Sequence, residues 1–557
     1  MDKNWIKNYD NGVPDTLQPF PERTLVDFVS DAARQRPGHP ALFFKGACLR
    51  YGQMERLSNA FAAGLQALGV KRGDRVAFMM PNCPQWVISL LGAWKAGAVV
   101  VPVCPLFAEP EVQRTLNDCG AQVAVVLTPF YAKIKTVQAN TPLRLVIAAN
   151  IKEYLPAHLR ILFSALKEKK KGHRISLQAG DLWLSDLLKQ NAGADRPKAP
   201  VEADQPAMFI YSGGTTGTPK AAVGNHRALL MTARQLHAWF GVVFKDWDDV
   251  VIGNMPLFHA YGIVCLAGAL VGHNPVALIP DPRDLDDLLD TIHKTKAGLL
   301  PGVPTLFIAL SKLPKVVSGK SELRSLKLCV CGAAPLMKET KSRFEELTGG
   351  RIVECYSLTE AMVAAIMTPV LGTYKPGSVG VPLPDVEVRI TDPEIGFETL
   401  PAGQVGEVLI RAPNLMQGYW QRPEETANAI RDGWLFTGDL GYLDEDGYLF
   451  IVDRKKDLIK PGGKQVWPRE VEEVIAAHPA VAEVGVAGVP DERLGELVKA
   501  WVVLRSGQQL TAGELRAYCK QNMAAYKVPK QIEFRDSLPK SPVGKVLRRE
   551  LVRRDAL

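Results

Sequence analysis

Apolar positions in the first 130 residues switch between helical spacing and short continuous runs. Residues 24–36 and 53–68 repeat apolar side chains every three to four positions, which predicts two amphipathic helices. Residues 75–80 read as a buried strand, 84–96 as a helix and 98–103 as another strand, and this βαβ alternation predicts a layered α/β body. The character changes after residue 150. Leu155, Leu159, Leu162, Phe163 and Leu166 are expected to share one helical face, followed by Lys167-Glu168-Lys169-Lys170-Lys171. Residues 191–206, with Pro, Gly and Ala, read as a linker. Residues 434–452 predict hairpins, with Asp444-Glu445-Asp446-Gly447 as a turn signal. Beyond them, a helix at 468–477, strands at 481–489 and 498–504 and a helix at 514–522 suffice for a separate small α+β domain. The expected division is therefore 1–453 and 454–557, with the boundary inside Asp453-Arg454-Lys455-Lys456-Asp457.

Composition narrows the class. The chain has 557 residues, 47% hydrophobic and 23% charged, which excludes disordered, collagen-like and fibrous proteins and allows sizeable cores. The longest apolar run, 262–272, ends in His273-Asn274-Pro275, short of a membrane span, and the start MDKNWIKNYD lacks the apolar centre of a secretory signal. The expectation is a soluble cytoplasmic chain. The nine cysteines are scattered, and the closest pair, Cys329 and Cys331, has the wrong spacing for a C-x-x-C site, so reduced thiols are expected.

Charge is uneven. Residues 454–557 hold 20 basic and 13 acidic side chains, leaving 47 against 46 for the rest of a chain whose net charge is +8. Nucleic acid, an anionic membrane and phosphate-rich ligands all remain open on charge alone.

The most informative local feature is Ala207-Met208-Phe209-Ile210-Tyr211 running into Ser212-Gly213-Gly214-Thr215-Thr216-Gly217-Thr218-Pro219-Lys220. Glycines let the backbone approach an anion closely, hydroxyls add donors, and Lys220 adds charge, so a phosphate-binding loop is expected. The spacing does not fit a Walker A loop, which disfavours P-loop kinases and ATPases.

These residues resemble the signature of the adenylate-forming enzymes, which include acyl-CoA synthetases, luciferases and peptide-synthetase adenylation domains. The resemblance continues through Pro256-Leu257-Phe258-His259, Cys331-Gly332-Ala333-Ala334-Pro335-Leu336 and Tyr356-Ser357-Leu358-Thr359-Glu360. It goes on through Gly418-Tyr419-Trp420 with Pro423-Glu424-Glu425-Thr426, Thr437-Gly438-Asp439, Asp453 to Asp457, and Pro539-Lys540-Ser541-Pro542-Val543-Gly544-Lys545. The overall pattern is most similar to bacterial-type medium- and long-chain fatty acid–CoA ligases, with aromatic-acid CoA ligases as nearest rival. A catalytically silent lipid-binding or uptake scaffold is the alternative from another class.

The resemblance implies a large multi-layered α/β N-terminal domain with a small β-barrel-like part, and a small mobile α+β C-terminal domain. It implies ATP and CoA as co-substrates with Mg²⁺. A fatty acid is joined to AMP with release of pyrophosphate, and the acyl group then passes to CoA. Ser212, Gly213, Gly214, Thr215, Thr216, Gly217, Thr218 and Lys220 would hold the phosphates. Thr359 would touch the α-phosphate and Glu360 would bind Mg²⁺. Gly332, Ala333, Ala334 and Tyr356 would receive adenine, and Asp439 and Arg454 the ribose. Lys545 would bridge carboxylate and α-phosphate. Lys456 would be the hinge, Gly462 and Gly463 would line the CoA channel, and Lys460 and Gln465 would assist thioester formation. His259, Tyr261, Cys355 and Ser357 would wall the acyl pocket, with His259 also near the phosphates. Cys355 and Ser357 stand where glycine is common in the family, so both walls are expected to be reshaped, and Ala221 is a further departure. On this reading the basic C-terminal unit matches small phosphate anions and nucleic acid drops out as a partner. An anionic membrane surface, met by the basic helix at 155–171, and a second copy of the chain remain candidate partners. The alternative for that helix is packing on the body. Localisation would then be cytoplasmic, peripheral on the inner membrane face.

Overall fold

The computed structural model describes residues 3–555 except 198–200, 213–218, 322, 363–364, 393–395, 462–463, 465, 492 and 542–545; for Ser212, Arg554 and Asp555 it describes the backbone only. The expected α/β layers are present. Leu25–Gln35 forms a helix entered through Thr24, whose backbone N–H is bound by the Asp27 carboxylate at 2.8 Å, a capping arrangement that fixes where the helix starts. Strands Arg75–Met79 and Val99–Pro102 and the wholly buried helix Pro84–Lys95 follow the apolar runs closely.

Two large sheets form the body. The first has seven strands and is parallel through most of its width; at one edge β1 (Pro206–Ser212) pairs antiparallel with β2 (Lys220–Asn225). Lys220 therefore opens a strand, opposite Ser212, rather than lying in the loop itself. The second sheet has nine strands, and its parallel centre includes β3 (Leu299–Gly302), β4 (Leu328–Cys331) and β5 (Arg351–Tyr356). Parallel strands covered on both faces read as continuous apolar runs, and β3 and β4 are buried along their whole length. Helix α1 (Ala157–Leu166) lies at the surface, whereas α2 (His226–Phe240) and α3 (Ala260–Val271) pack on each other beside the second sheet. Helix α3 takes up most of the longest apolar run in the sequence and is a core helix.

The face expected for residues 155–166 is divided in the structure. Pro156 stands just outside α1 in an extended conformation, so Leu155 is out of helical register and packs against the main core. Phe163 turns inward against His173, with ring centroids 5.2 Å apart, while Leu162 and Leu166 face solvent.

The part expected to be barrel-like is a five-stranded antiparallel sheet that includes β6 (Trp434–Leu443) and β7 (Leu449–Arg454). A three-stranded sheet follows, with Val481–Asp491 antiparallel to Gly495–Leu504 and Gln531–Phe534 parallel to the latter. The apolar cores divide at the same place in the chain. Two buried clusters are made only of residues from Ile459 onward, and the other three only of residues up to Ile451. Between them Asp453, almost fully buried, accepts from Arg548 Nη1 at 2.9 Å and from the backbone N–H of Arg469 at 2.7 Å.

Candidate functional site

The C-terminal ends of β3, β4 and β5 lie side by side, the usual place for a ligand in a parallel sheet. After β4 the chain turns at Gly332, whose backbone N–H reaches the Gly302 carbonyl at 3.2 Å. A side chain at Gly332 would meet Cys355 Sγ at 2.8 Å, so glycine is required for this close approach. Ala333 adopts φ +68°, a left-handed conformation uncommon for alanine, and Ala333 and Ala334 are both exposed beside these strand ends.

Successive side chains of a strand point to opposite faces, and the end of β5 uses both. Cys355 faces a cavity of about 630 Å³, open mouth included, between α2, α3 and the sheet. Leu236, Phe240, Phe244, Val264, Gly268 and Tyr261 also line it, and His237 and Asp246, paired at 2.8 Å and both partly exposed, mark its solvent end. The Tyr261 hydroxyl donates to the carbonyl oxygens of Val330 at 2.9 Å or Gly302 at 3.3 Å, which fixes the ring against the strand ends. On the other face, Tyr356 donates its hydroxyl to Asp439 Oδ2 at 2.7 Å. Asp439 sits on β6 directly across from Arg454 on β7, and Arg454 Nε lies 3.1 Å from its Oδ1. Burial, and then the Asp439 charge, drives the Tyr356 phenol far above its usual pKa, so it stays a hydrogen-bond donor.

Thr359 and Glu360 occupy a short 3₁₀ turn after β5. The turn is held by three successive carbonyls: Met416 N–H reaches Glu360 O at 2.8 Å, Asn414 Nδ2 reaches Ala361 O at 2.9 Å, and Thr232 Oγ1 reaches Met362 O at 3.2 Å. Glu360 Oε1 accepts the Tyr419 hydroxyl at 2.8 Å, and the Lys220 ammonium lies 5.2 Å from the centre of the same ring. Residues 417–420 run along β2 through paired backbone hydrogen bonds, which is how Tyr419 comes to stand between Lys220 and Glu360. Tyr419, Asn414 and Thr232 are the residues that sequence reasoning missed as site components. The GYW motif was the only local signal for Tyr419, and the other two have none.

His259 caps α3, its Nδ1 accepting the Tyr261 backbone N–H at 3.2 Å, and burial pushes its pKa down to about 4, so the ring is neutral near pH 7. Neither His259 nor Ser357 is among the cavity's lining residues; the Ser357 hydroxyl reaches the Leu358 carbonyl at 3.4 Å. Lys456 lies in a 3₁₀ turn just after β7, where burial and then the Arg454 charge lower its pKa below the usual lysine value. Lys460 is exposed and its backbone N–H binds Glu496 at 2.8 Å. Ile459 and Val466 pair across the base of the segment that carries Lys460. Gly213, Gly214, Thr215, Thr216, Gly217, Thr218, Gly462, Gly463, Gln465 and Lys545 lie outside the described residues, as does the Ser212 side chain. The described residues thus bring together two groups, Tyr356–Asp439–Arg454 and Lys220–Tyr419–Glu360, with Cys355 and Tyr261 at the inner end of the cavity.

The model of the AMP-binding enzyme family matches residues 29–420, and that of the AMP-binding enzyme C-terminal domain matches 470–545. A long-chain-fatty-acid–CoA ligase of Bacillus subtilis (strain 168) is 38% identical over 552 residues, 99% of this chain and 98% of the relative. A feruloyl-CoA synthase of an Amycolatopsis species is 35% identical, covering 94% of this chain and 97% of the relative. Among solved structures, the anthranilate CoA ligase AuaEII in complex with anthranoyl-AMP superposes with a TM-score of 0.83 at 28% identity, covering 97% of this chain and 98% of that one. ATP-bound MatB from Rhodopseudomonas palustris gives 0.81 at 28% identity over 95% and 98%. With a family model over most of the chain and relatives matched end to end, this protein is a member of the AMP-binding enzyme family.

Proposed function

We propose that the protein is an AMP-forming acid–thiol ligase that activates a medium- or long-chain fatty acid with ATP and transfers it to CoA. The observation that carries this reading is the end of β5, where an apolar cavity on one face meets the Tyr356–Asp439–Arg454 group on the other. Among the described residues the cavity has no charged lining except the His237–Asp246 pair at its solvent end, which suits an aliphatic tail whose carboxylate points inward. The relatives named as long-chain-fatty-acid–CoA ligases, 34% to 38% identical over nearly the whole chain, support the same substrate class.

In the first half-reaction a carboxylate oxygen bonds to the α-phosphorus of ATP and the bond to pyrophosphate breaks. The difficulty is anion attacking anion, and preorganised cations and donors lower it. Lys220 and the residues 212–218 hold the β- and γ-phosphates, Thr359 meets the α-phosphate, and Lys545 bridges carboxylate and phosphate as a compact charge on a long stem. Asp439, with two of its acceptor positions taken by Tyr356 and Arg454, offers the remaining two to the ribose hydroxyls. Adenine rests against Gly332, Ala333, Ala334 and Tyr356. Glu360 fits Mg²⁺: the Tyr419 hydroxyl binds one of its oxygens, Oε1, and Mg²⁺ asks for only one or two carboxylates besides phosphate and water. When bound, the ion offsets charge on the phosphates.

The second half-reaction explains the separate basic unit. Residues 454–557, with their own apolar cores, turn about Lys456, withdrawing Lys545 and bringing Lys460, Gly462, Gly463 and Gln465 to the adenylate. The CoA sulfur, losing its proton, attacks the acyl carbon and AMP departs. His259 and Ser357 stand beside the inner end of the acyl pocket that Tyr261 and Cys355 wall.

The deciding experiment is CoA-dependent AMP formation across short, medium, long and aromatic acids, with pyrophosphate release followed in parallel. Highest kcat/KM for medium or long aliphatic acids is the expected result. Preference for aromatic acids would replace it with the second reading, which the feruloyl-CoA synthase relative favours. No pyrophosphate with any acid would favour the non-catalytic lipid-binding scaffold. Lys545→Ala is expected to lose adenylation yet still convert a supplied acyl-adenylate to thioester; equal loss of both would remove the bridging role.

A further inference from the structure

Helix α1 and the segment after it present a surface that the chemistry above leaves unused. His158, Ile161, Leu162, Ala165 and Leu166 follow one another at helical spacing and are all exposed, with Ile161 at 73%, Leu162 at 51% and Leu166 at 64%. Three bare aliphatic side chains on a ten-residue helix are a continuous apolar stripe rather than scattered surface residues. Arg160, Lys167, Lys169, Lys170, Lys171 and Arg174 surround it, all exposed, and none has an ion pair among the described residues.

The acid in this stretch is turned away. Glu168 is buried, bound by Lys152 Nζ at 2.6 Å and by Asn150 Nδ2 at 3.2 Å. His173, also buried, bonds Thr128 through Nδ1 at 2.8 Å and accepts from Asn150 through its carbonyl at 3.1 Å. Phe163 packs on the His173 ring. The underside of the segment is therefore pinned by a polar network, and the face left outward carries aliphatic side chains and cations that make no ion pair among the described residues, Lys171 acting only from a distance on the Asp281 carboxylate.

We infer that this face docks the protein onto the surface of an anionic lipid bilayer. Aliphatic side chains lying in the plane of an interface, flanked by lysines at headgroup level, are what binds a helix to such a surface, and six cations add attraction to acidic lipids that salt weakens. An acidic protein partner would match the charges but leaves the three aliphatic residues without a role. Docking brings the enzyme to the phase in which fatty acids dissolve; that consequence rests on the fatty-acid reading, whereas the docking itself does not.

The test is co-sedimentation of the full chain with vesicles of phosphatidylcholine alone or with 30% phosphatidylglycerol, at low and high salt and without substrate. Binding is expected only to the acidic vesicles and to fall with salt. Two exposed-surface variants separate the contributions: Lys167, Lys169, Lys170 and Lys171 all to Gln, and Ile161→Ser with Leu162→Ser and Leu166→Ser. Each is expected to weaken partition at least tenfold while melting temperature and turnover of a water-soluble short acid stay unchanged. Wild-type binding by both variants, or no binding by the unaltered chain, would overturn the proposal. Because vesicle binding is read without turnover, a failed fatty-acid screen and a failed docking result remain distinct.

Discussion

Asp439→Asn isolates the proposed ribose contact. The carboxylate has four acceptor positions. Tyr356 uses one on Oδ2 at 2.7 Å and Arg454 one on Oδ1 at 3.1 Å, leaving two for the 2′- and 3′-hydroxyls. An asparagine keeps the shape but replaces one oxygen by a donor. The amide is expected to turn its oxygen to Arg454, because donor would otherwise face donor, and the Tyr356 hydroxyl can rotate to accept. Both ribose bonds then fall from charge-assisted to neutral, a loss of about 1 kcal/mol each. About 2 kcal/mol corresponds to roughly a 30-fold drop in kcat/KM for ATP. Stability should change little, since Arg454 is about one-third exposed and such a pair is worth under about 1 kcal/mol. The assay is pyrophosphate release at varied nucleotide, run with ATP and with 2′-deoxyATP on both enzymes. The unaltered enzyme should discriminate against the deoxy nucleotide by about 10- to 100-fold, the value of one hydrogen bond to a charged group, and the variant by only about fivefold. Undiminished discrimination in the variant, or a loss of stability larger than the loss of ATP use, would refute the ribose assignment and leave Asp439 as a structural acid.

Three further outcomes follow from the geometry. A Cβ at Gly268 would meet Leu236 atoms only at 3.6 Å and 3.7 Å, so Gly268→Phe should fold, project its ring into the cavity, and shift the AMP-formation profile toward shorter acids; an unchanged chain-length profile would mean the tail lies elsewhere. Burial holds His173, His226 and His259 at pKa values of about 4, about 3 and about 4, below the ordinary 6.5, so the unfolded chain takes up these protons first. Their stabilisation is complete above pH 6.5 and is lost as pH falls toward 4, by up to about 1.4 kcal/mol per pH unit for each ring, and His226→Phe should flatten the acid side of a plot of unfolding free energy against pH by one proton, whereas an identical slope would contradict it. Lys456→Pro, which stiffens the turn between Asp453 and Asp457, should spare adenylation more than thioester formation, and an unaltered ratio of the two rates would argue against rotation there.

Elements whose limits are set locally were legible in the sequence; those set by distant partners were not. Thr24 and Asp27 fix the start of a helix by bonds three residues apart, and the predicted start lies within one residue of it. Lys220 was expected in a loop because glycines and hydroxyls precede it, yet β2 begins there through pairing with β1 and with residues 417–420, about 200 positions away. Long-range contacts likewise carry Tyr419 to Glu360, and Asn414 and Thr232 to the carbonyls after it; only Tyr419, in Gly418-Tyr419-Trp420, has a local signal. At 155–166 the apolar spacing was real but its start was misplaced, since Pro156 holds Leu155 outside the helix. With the helix starting at Ala157 and Phe163 turned inward, Ile161, Leu162 and Leu166 are left outside. If both proposals hold, the apolar cavity and the aliphatic, cationic face on the same chain belong to one task, taking a lipid-soluble acid from an interface into a site where ATP chemistry proceeds in water.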